Sequence, residues 1–266
     1  MTSSAAFFDL DRTLISGASA FPFGIEAWRQ DLASNSEVAK WGLAALSFKL
    51  LGDKGNNASQ EIKGAFLNRI GGSSVAALEG VASAVLPGLV SRVRPESRKL
   101  LKMHGEAGRH TWIVSASPEA LVAPLAASLG MTGSIATKSK IVDGYYTGEL
   151  DGPFMYGAGK SRAIEKLASE EGYDLELCYA YSDSISDLPM MEIVGHPVAV
   201  NPDSELEAFA RERGWPIVIF ARRTKRAVAF SGAGSGAVIA TTVAYLLGRR
   251  HGRMATLAQV GKKRRR

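Results

Sequence analysis

Phe8-Asp9-Leu10-Asp11-Arg12-Thr13-Leu14 is the stretch on which the reading of this chain turns. It continues the short apolar run Ala5-Ala6-Phe7-Phe8, which breaks at Asp9 as a buried strand does where it ends at a site. Two carboxylates two residues apart, where a strand becomes a loop, suit phosphorus chemistry. One can attack phosphorus while the other handles protons on the leaving group and on water. At neutral pH such a pair needs a cation to offset its charge, and magnesium is the usual oxygen-liganded choice beside phosphate. An isolated Asp-x-Asp is more often a loop or capping feature, so companions must come from elsewhere in the chain.

Working outward, the pattern after Arg94 alternates. Helices are expected over Pro95–Ala107, from Ser117-Pro118 to about Leu129, from Gly159 to about Glu171, and near 187–194 and 203–213. Strands are expected at His110–Val114, Ile135–Thr137, Leu177–Tyr181, Pro197–Val200 and Ile217–Phe220, with a hairpin over Ile141–Leu150 around Asp143-Gly144. Alternation of this kind predicts an α/β fold, a Rossmann-like parallel sheet covered on both faces. Residues 15–94 interrupt it. Apolar residues recur at helical spacing through Val38–Leu51 and Val75–Leu86, and Pro87-Gly88 is expected to stop the second run. The expected organisation is therefore a catalytic core of 1–14 and 95–221, a helical cap of 15–94 inserted after the first strand, and a tail of 222–266.

Open parallel sheets place their sites at the carboxyl ends of strands, which directs attention to Asp9, Ser115 and Asp183. Tyr181-Ser182-Asp183-Ser184-Ile185-Ser186-Asp187 supplies two further carboxylates: Asp183 to complete a metal's oxygen shell and Asp187 to orient a water or ligand. An N-cap explains one of these aspartates but not both. Val114-Ser115-Ala116-Ser117 offers a hydroxyl and backbone N–H groups ahead of a helix, a natural phosphate cradle. Gly157-Ala158-Gly159-Lys160-Ser161 brings a lysine to a helix start, where it can pair with phosphate and with Asp9. It is not a Walker A loop, because the first required glycine falls on Phe154.

These four elements, in this order, resemble the haloacid dehalogenase superfamily and its phosphoserine-phosphatase-like branch. Phe8–Leu14 is similar to the first motif, Ser115 to the second, Lys160 to the third, and Tyr181–Asp187 to the fourth. The resemblance runs from about residue 4 to 221. It implies that Asp9 is the nucleophile and Asp11 the general acid/base. It implies that magnesium is held by Asp9, the backbone carbonyl of Asp11 and Asp183, with Asp187 supporting the metal. Thr13, Ser115, Ala116 and Lys160 would bind phosphate, and the stretch 15–94 would be the helical C1-type cap of this branch. Two departures stand out. Arg12 occupies a position where many relatives have glycine, and Ser16–Phe23 lacks the acid that holds a phosphoserine amine, Glu26 being the first to follow.

Bulk composition narrows the setting. The 266 residues are 46% hydrophobic and 22% charged, ordinary for a folded domain. The single cysteine, Cys178, lies in an apolar run and is expected to be a packing residue. With no disulfide framework and no basic-then-apolar leader, the catalytic part is expected in the cytoplasm. The net charge of +6 is uneven: the twelve Lys/Arg from Arg222 onward face no Asp/Glu, leaving 20 basic and 26 acidic residues before them. An acidic body argues against a nucleic-acid partner, whereas the basic tail suits anionic lipid. Within that tail, 227–248 carries no charge, and as a helix it would span about 33 Å against about 30 Å for a bilayer core; a spanning helix, an interfacial helix and a Gly-rich extension are the readings it leaves open. The expected function is hydrolysis of a small-molecule or lipid phosphate, with membrane contact through the tail; the residues leave the oligomeric state open. The alternatives are a phosphotransferase on the same fold and a non-catalytic membrane-associated scaffold.

Overall fold

The computed structural model describes residues 3–30 and 71–220. The helical run read within 38–51, the basic tail 222–266 and its uncharged segment 227–248 lie outside the described residues. Six parallel strands form the main sheet in the order β3-β2-β1-β6-β7-β8: β1 Ala5–Asp9, β2 His110–Pro118, β3 Gly133–Thr137, β6 Tyr179–Ser182, β7 His196–Val200 and β8 Ile217–Val218. A separate antiparallel hairpin joins β4 Ser139–Val142 to β5 Tyr145–Leu150. The fold is thus the α/β, Rossmann-like parallel arrangement that the alternation predicts.

Every residue of β1 is buried, and the two-residue period of a strand splits them between two cores. Ala6 and Phe8 face one side, with Leu14, Leu89, Ile113, Leu125 and Tyr181. Ala5 and Phe7 face the other, with Val114, Ile164, Cys178, Met190 and Met191. Each phenylalanine contributes roughly 2–3 kcal/mol by burial, so β1 is pinned from both sides. Cys178 is buried and free as expected, its Sγ accepting the Ala5 N–H at 3.2 Å.

The described helices are α1 Ala20–Arg29, α2 Val75–Arg92, α3 Pro95–Glu106, α4 Glu119–Ser128, α5 Ala158–Glu171, α6 Leu188–Glu192 and α7 Ser204–Arg213. Two differ from the sequence reading. Pro87-Gly88 does not stop α2, which continues to Arg92 with Pro87 inside it. Burial of Val85 and Leu89 on either side of the proline outweighs the lost hydrogen bond. Pro118 sits at the N-cap of α4 instead of in its first turn, because β2 runs four residues further than read, through Ser115-Ala116-Ser117. Helix α2 is long and apolar enough to cross a membrane by length and composition. Its Ala82, Val85 and Leu89 instead join the core beside Leu121 and Leu125 of α4.

The chain leaves the core and returns to it side by side. Ile15 pairs antiparallel with Val93, the Ser16 N–H donates to the Arg92 carbonyl at 2.9 Å, and the Arg94 N–H donates to that of Leu14 at 3.1 Å. The hairpin turn is Asp143-Gly144, with φ of +50° and +79°, as the Asp-Gly pair leads one to expect. The hairpin meets α2 through Tyr146, buried against Leu78.

His104 of α3 is fully buried under the sheet, its Nε2 2.8 Å from the Tyr181 hydroxyl and its Nδ1 without a hydrogen-bond partner. Burial, helped by the Arg109 charge, lowers its pKa from 6.5 to about 4. Between those two values the unfolded chain takes up a proton that the folded chain refuses. Stability from this residue is therefore complete above about pH 6.5 and is lost as pH falls toward 4, by up to about 3 kcal/mol. Denaturant titrations at pH 7 and pH 4.5 should show the wild type losing more stability on acidification than His104→Gln. Equal losses would remove His104 from the acid response.

Candidate functional site

Asp9 closes β1, and the chain then makes one wide turn over Leu10–Leu14, in which the Ile15 N–H donates to the Leu10 carbonyl at 3.0 Å. Arg12 lies inside this turn at φ +65°, a left-handed conformation that costs a non-glycine residue about 1 kcal/mol. That is the physical reason a glycine suits the position. Here the arginine has a partner: its Nε lies 2.9 Å from Oδ2 of Asp183. Thr13, the next residue, is buried and donates its hydroxyl to Oδ1 of Asp183 at 3.3 Å. The Thr13 carbonyl in turn accepts the Ser97 hydroxyl of α3 at 3.2 Å.

Lys160 is the hub. Its Nζ lies 2.7 Å from Asp9 Oδ1 and 2.8 Å from Asp187, and its side chain is only 4% exposed. Helix α5 can present it there because Gly159 lets the helix start close to the preceding loop. A Cβ on Gly159 would stand 1.9 Å from the Phe154 carbonyl oxygen. Asp187 also accepts the Ser182 hydroxyl at 2.7 Å, so the end of β6 fixes it from a second direction. Burial favours the neutral amine of Lys160, but the charges of Asp187 and Asp9 outweigh it and raise its pKa, keeping an ammonium. Burial raises the Asp9 carboxyl well above the ordinary carboxylate value; Lys160 opposes this, while Asp187 and Asp183 add to it. Asp183 is pushed up to about 6, by burial first, with Arg12 pulling the other way and Asp187 adding to the rise.

Asp11 stands apart from this hub. Its Oδ1 accepts the Ser19 N–H at 2.7 Å, and burial raises its pKa against the Ser19 hydrogen bonds. A carboxyl kept protonated longer than usual is suited to giving up a proton. Ser115 is buried at the end of β2, and its Oγ accepts the Ser117 N–H at 3.1 Å. Ala116 lies between them, half-buried, where the β2–β3 register shifts. The structure thus gathers Asp9, Lys160 and Asp187 into one contact network and Thr13, Arg12 and Asp183 into a second, near enough for their charges to act on one another. Ser115 and Ala116 lie at the end of β2, on the other side of β1 from β6, and Asp11 is linked to them through Ser19 and Ser117.

Sequence reasoning missed four participants. Ser182 was legible as a strand-end hydroxyl beside Asp183. Asp203 carried an N-cap signal: it caps α7 through the Leu206 N–H at 2.8 Å, accepts the Ile185 N–H at 3.0 Å, and donates its own N–H to the Asp183 carbonyl at 2.7 Å. The Arg12–Asp183 contact and the role of Ser19 depend on tertiary proximity that no local pattern announces.

A hard cation suits the donors present. The groups that converge are carboxylate and hydroxyl oxygens, and Asp183 Oδ2 is buried without an aligned hydrogen bond although the Arg12 charge is near. Asp9, Asp183 and Asp187 also outnumber the cations Lys160 and Arg12. Among the described residues no three His, Cys, Asp or Glu side chains close into a ligand cage. Magnesium does not require one, since it is commonly held by one or two carboxylates together with water and phosphate. A groove of about 550 Å³ lined by Tyr179, His196, Arg213 and Trp215 lies at the amino ends of β6 and β7, and contains none of these residues.

Comparison with known proteins agrees with this geometry. Residues 6–192 match the model of the haloacid dehalogenase-like hydrolase family. Phosphoserine phosphatase SerB1 of Mycobacterium tuberculosis is 39% identical over 227 residues, covering 84% of this chain and 74% of its own. The probable phosphatase Rv3661 of the same organism is 41% identical over 242 residues, covering 91% and 83%. Among solved structures, a Bordetella pertussis protein of unknown function superposes with a TM-score of 0.71 at 25% identity, over 82% of this chain and 99% of the other. With four motifs in order and their side chains gathered at adjoining strand ends, the chain belongs to the haloacid dehalogenase-like hydrolase family, in its phosphoserine-phosphatase-like branch.

Proposed function

We propose that this chain is a magnesium-dependent phosphomonoesterase that works through a phospho-aspartate on Asp9. The observation that carries the reading is the placement of Asp9: it ends β1, 2.7 Å from a buried ammonium, two residues before a second buried carboxyl held by different partners. The two carboxyls are thereby given separate tasks. Asp9 attacks phosphorus, and the bond to the leaving oxygen breaks as Asp11 gives that oxygen its proton. Asp11 then takes a proton from water as the water attacks the phospho-aspartate, releasing phosphate and restoring Asp9. Lys160 offsets charge on Asp9 and on the phosphoryl oxygens, and Thr13, Ser115 and the Ala116 backbone bind those oxygens. Asp9, the Asp11 carbonyl and Asp183 would hold magnesium, with Asp187 behind them. The bound ion would supply further charge neutralisation at the phosphoryl group. Residues 15–94 are the cap in this scheme, closing over the phosphate site to exclude water.

Asp9→Asn should abolish turnover while leaving the thermal midpoint nearly unchanged, because an amide is a far poorer nucleophile than a carboxylate. Acid-quenched enzyme after a pulse of labelled phosphate ester should carry label in the wild type alone. Turnover persisting in the variant would remove Asp9 from the nucleophile role.

Chelation should stop activity, magnesium should restore it, and zinc should substitute poorly, because the proposed ligands are all oxygens. Asp183→Ala should raise the magnesium concentration needed for half-maximal activity by at least about tenfold, in line with the loss of a direct ligand. Full activity after exhaustive chelation would overturn the metal assignment.

The substrate is proposed to carry an apolar or bulky group. Glu26, the first acid after the motif, has its carboxylate engaged by Arg29 at 3.3 Å and Gln30 at 3.2 Å. A substrate ammonium buried without a partner would cost several kcal/mol on an order-of-magnitude scale. Phe23 packs toward Leu78 and Tyr146, while Phe21, two residues earlier, is exposed. The name of the SerB1 relative favours the opposite outcome. A short-chain lipid phosphate should exceed phosphoserine in kcat/KM, and cutting the chain after residue 221 should lower activity on vesicle-borne substrate alone, through loss of lipid contact by the tail. A large preference for phosphoserine would reverse the substrate assignment, and unchanged vesicle activity would remove the tail from it.

A further inference from the structure

Ser19 begins α1, where a serine ordinarily spends its hydroxyl on a free N–H of the first helical turn. This one does not. Its backbone is already helical, at φ −74° and ψ −32°, and its side chain makes no capping bond. The residue is nevertheless fully buried, and a buried hydroxyl without partners costs about 1–3 kcal/mol. Its partners lie in the site. The Ser19 N–H donates to Asp11 Oδ1 at 2.7 Å, and Ser19 Oγ lies 2.9 Å from the hydroxyl of Ser117. Ser117 in turn donates its N–H to Ser115 Oγ at 3.1 Å. Hydrogen bonds made by the backbone and hydroxyl of Ser19 and Ser117 therefore connect the carboxyl of Asp11, through the N-cap residue of α1, to the strand end proposed to cradle phosphate.

We infer that Ser19 is a positioning residue for Asp11: its N–H holds the acid/base carboxyl while its buried hydroxyl anchors it to Ser117, so that proton donation is competent only when the start of α1 is seated on the core. The inference rests on the reading of Asp11 as general acid/base. With the Ser19 N–H on Oδ1, proton exchange with the leaving group falls to Oδ2. Ser19 itself neither gains nor loses a proton over the cycle: the P–O bond to the leaving group breaks, the proton passes from Asp11 to the departing oxygen, and water later returns it. Alanine keeps the N–H that meets Asp11 but loses the hydroxyl that anchors Ser19 to Ser117, so that N–H is no longer held in place.

The test uses the leaving group. An alkyl phosphate departs as a strongly basic alkoxide that needs the proton, whereas p-nitrophenyl phosphate departs as a weakly basic phenolate that does not. General acid catalysis contributes about 10²–10⁴-fold, so disordering the acid should remove about ten- to a hundredfold from kcat/KM for glycerol phosphate. For p-nitrophenyl phosphate the loss in Ser19→Ala should stay within about threefold, the acid being dispensable there. Ser19→Cys, nearly isosteric but a weak hydrogen-bonder, should show the same split, and Ser19→Thr should restore the wild-type ratio. Asp11→Asn is the reference: it should show the split more strongly, and adding Ser19→Ala to it should cost nothing further on the alkyl substrate. If the serine variants lose both substrates equally, or lose neither, while Asp11→Asn splits them, Ser19 is merely structural and this inference is overturned. If Asp11→Asn shows no split, the acid/base reading itself falls and takes the role of Ser19 with it.

Discussion

The ammonium of Lys160 stands between carboxylates from two parts of the chain that meet only in the folded state, Asp9 at 2.7 Å and Asp187 at 2.8 Å. Most of what surrounds the site follows from the need to hold these three charges together away from water. A buried cation between two carboxylates must be fixed closely in position, since losing the ammonium would leave two carboxylates facing each other uncompensated, at a cost of several kcal/mol. Fixing it takes three elements. Strand β1, clamped by Phe7 and Phe8 in separate cores, sets Asp9. Ser182, at the end of the adjacent β6, holds Asp187. The close approach of Gly159 to the Phe154 carbonyl sets where α5 begins, and so where the lysine emerges. The parallel sheet makes this possible because β1 and β6 are neighbours whose carboxyl ends lie side by side.

Much of this was legible in the chain, for identifiable reasons. The alternation of Phe7 and Phe8 followed by Asp9 announces a doubly buried strand that ends at a polar edge. Asp143-Gly144 names its own turn, because both residues tolerate the positive φ that a tight hairpin needs. Local signals failed where tertiary burial opposed them. Pro87 ends a helix by propensity, yet Val85 and Leu89 are held in the core around it. They were silent where a contact joins distant segments, as Ser19 meets Ser117 across 98 residues. Asp203 lies between these cases: its capping role is readable, but not its hold on the backbone beside Asp183.

Arg12 shows how a residue other than glycine is accommodated at a left-handed position. Its left-handed backbone carries a strain of about 1 kcal/mol that glycine would not feel. In return a guanidinium lies 2.9 Å from a carboxylate oxygen that has no other close partner, in a cluster where acids outnumber bases. The side chain remains half exposed, so the contact is softened by solvent and is better regarded as charge balance than as a rigid strut.

The side-by-side crossing of Ile15 and Val93 has a bearing on how such proteins diversify. Two paired backbone segments of this kind lie about 5 Å apart, so whatever is inserted between them begins and ends at nearly one point on the core. Closing a longer excursion then costs only about 0.6 kcal/mol for each doubling of its length. The core is thereby insulated from the size of what it carries. A lineage can lengthen, shorten or exchange the inserted segment without disturbing the strands that hold the buried charges.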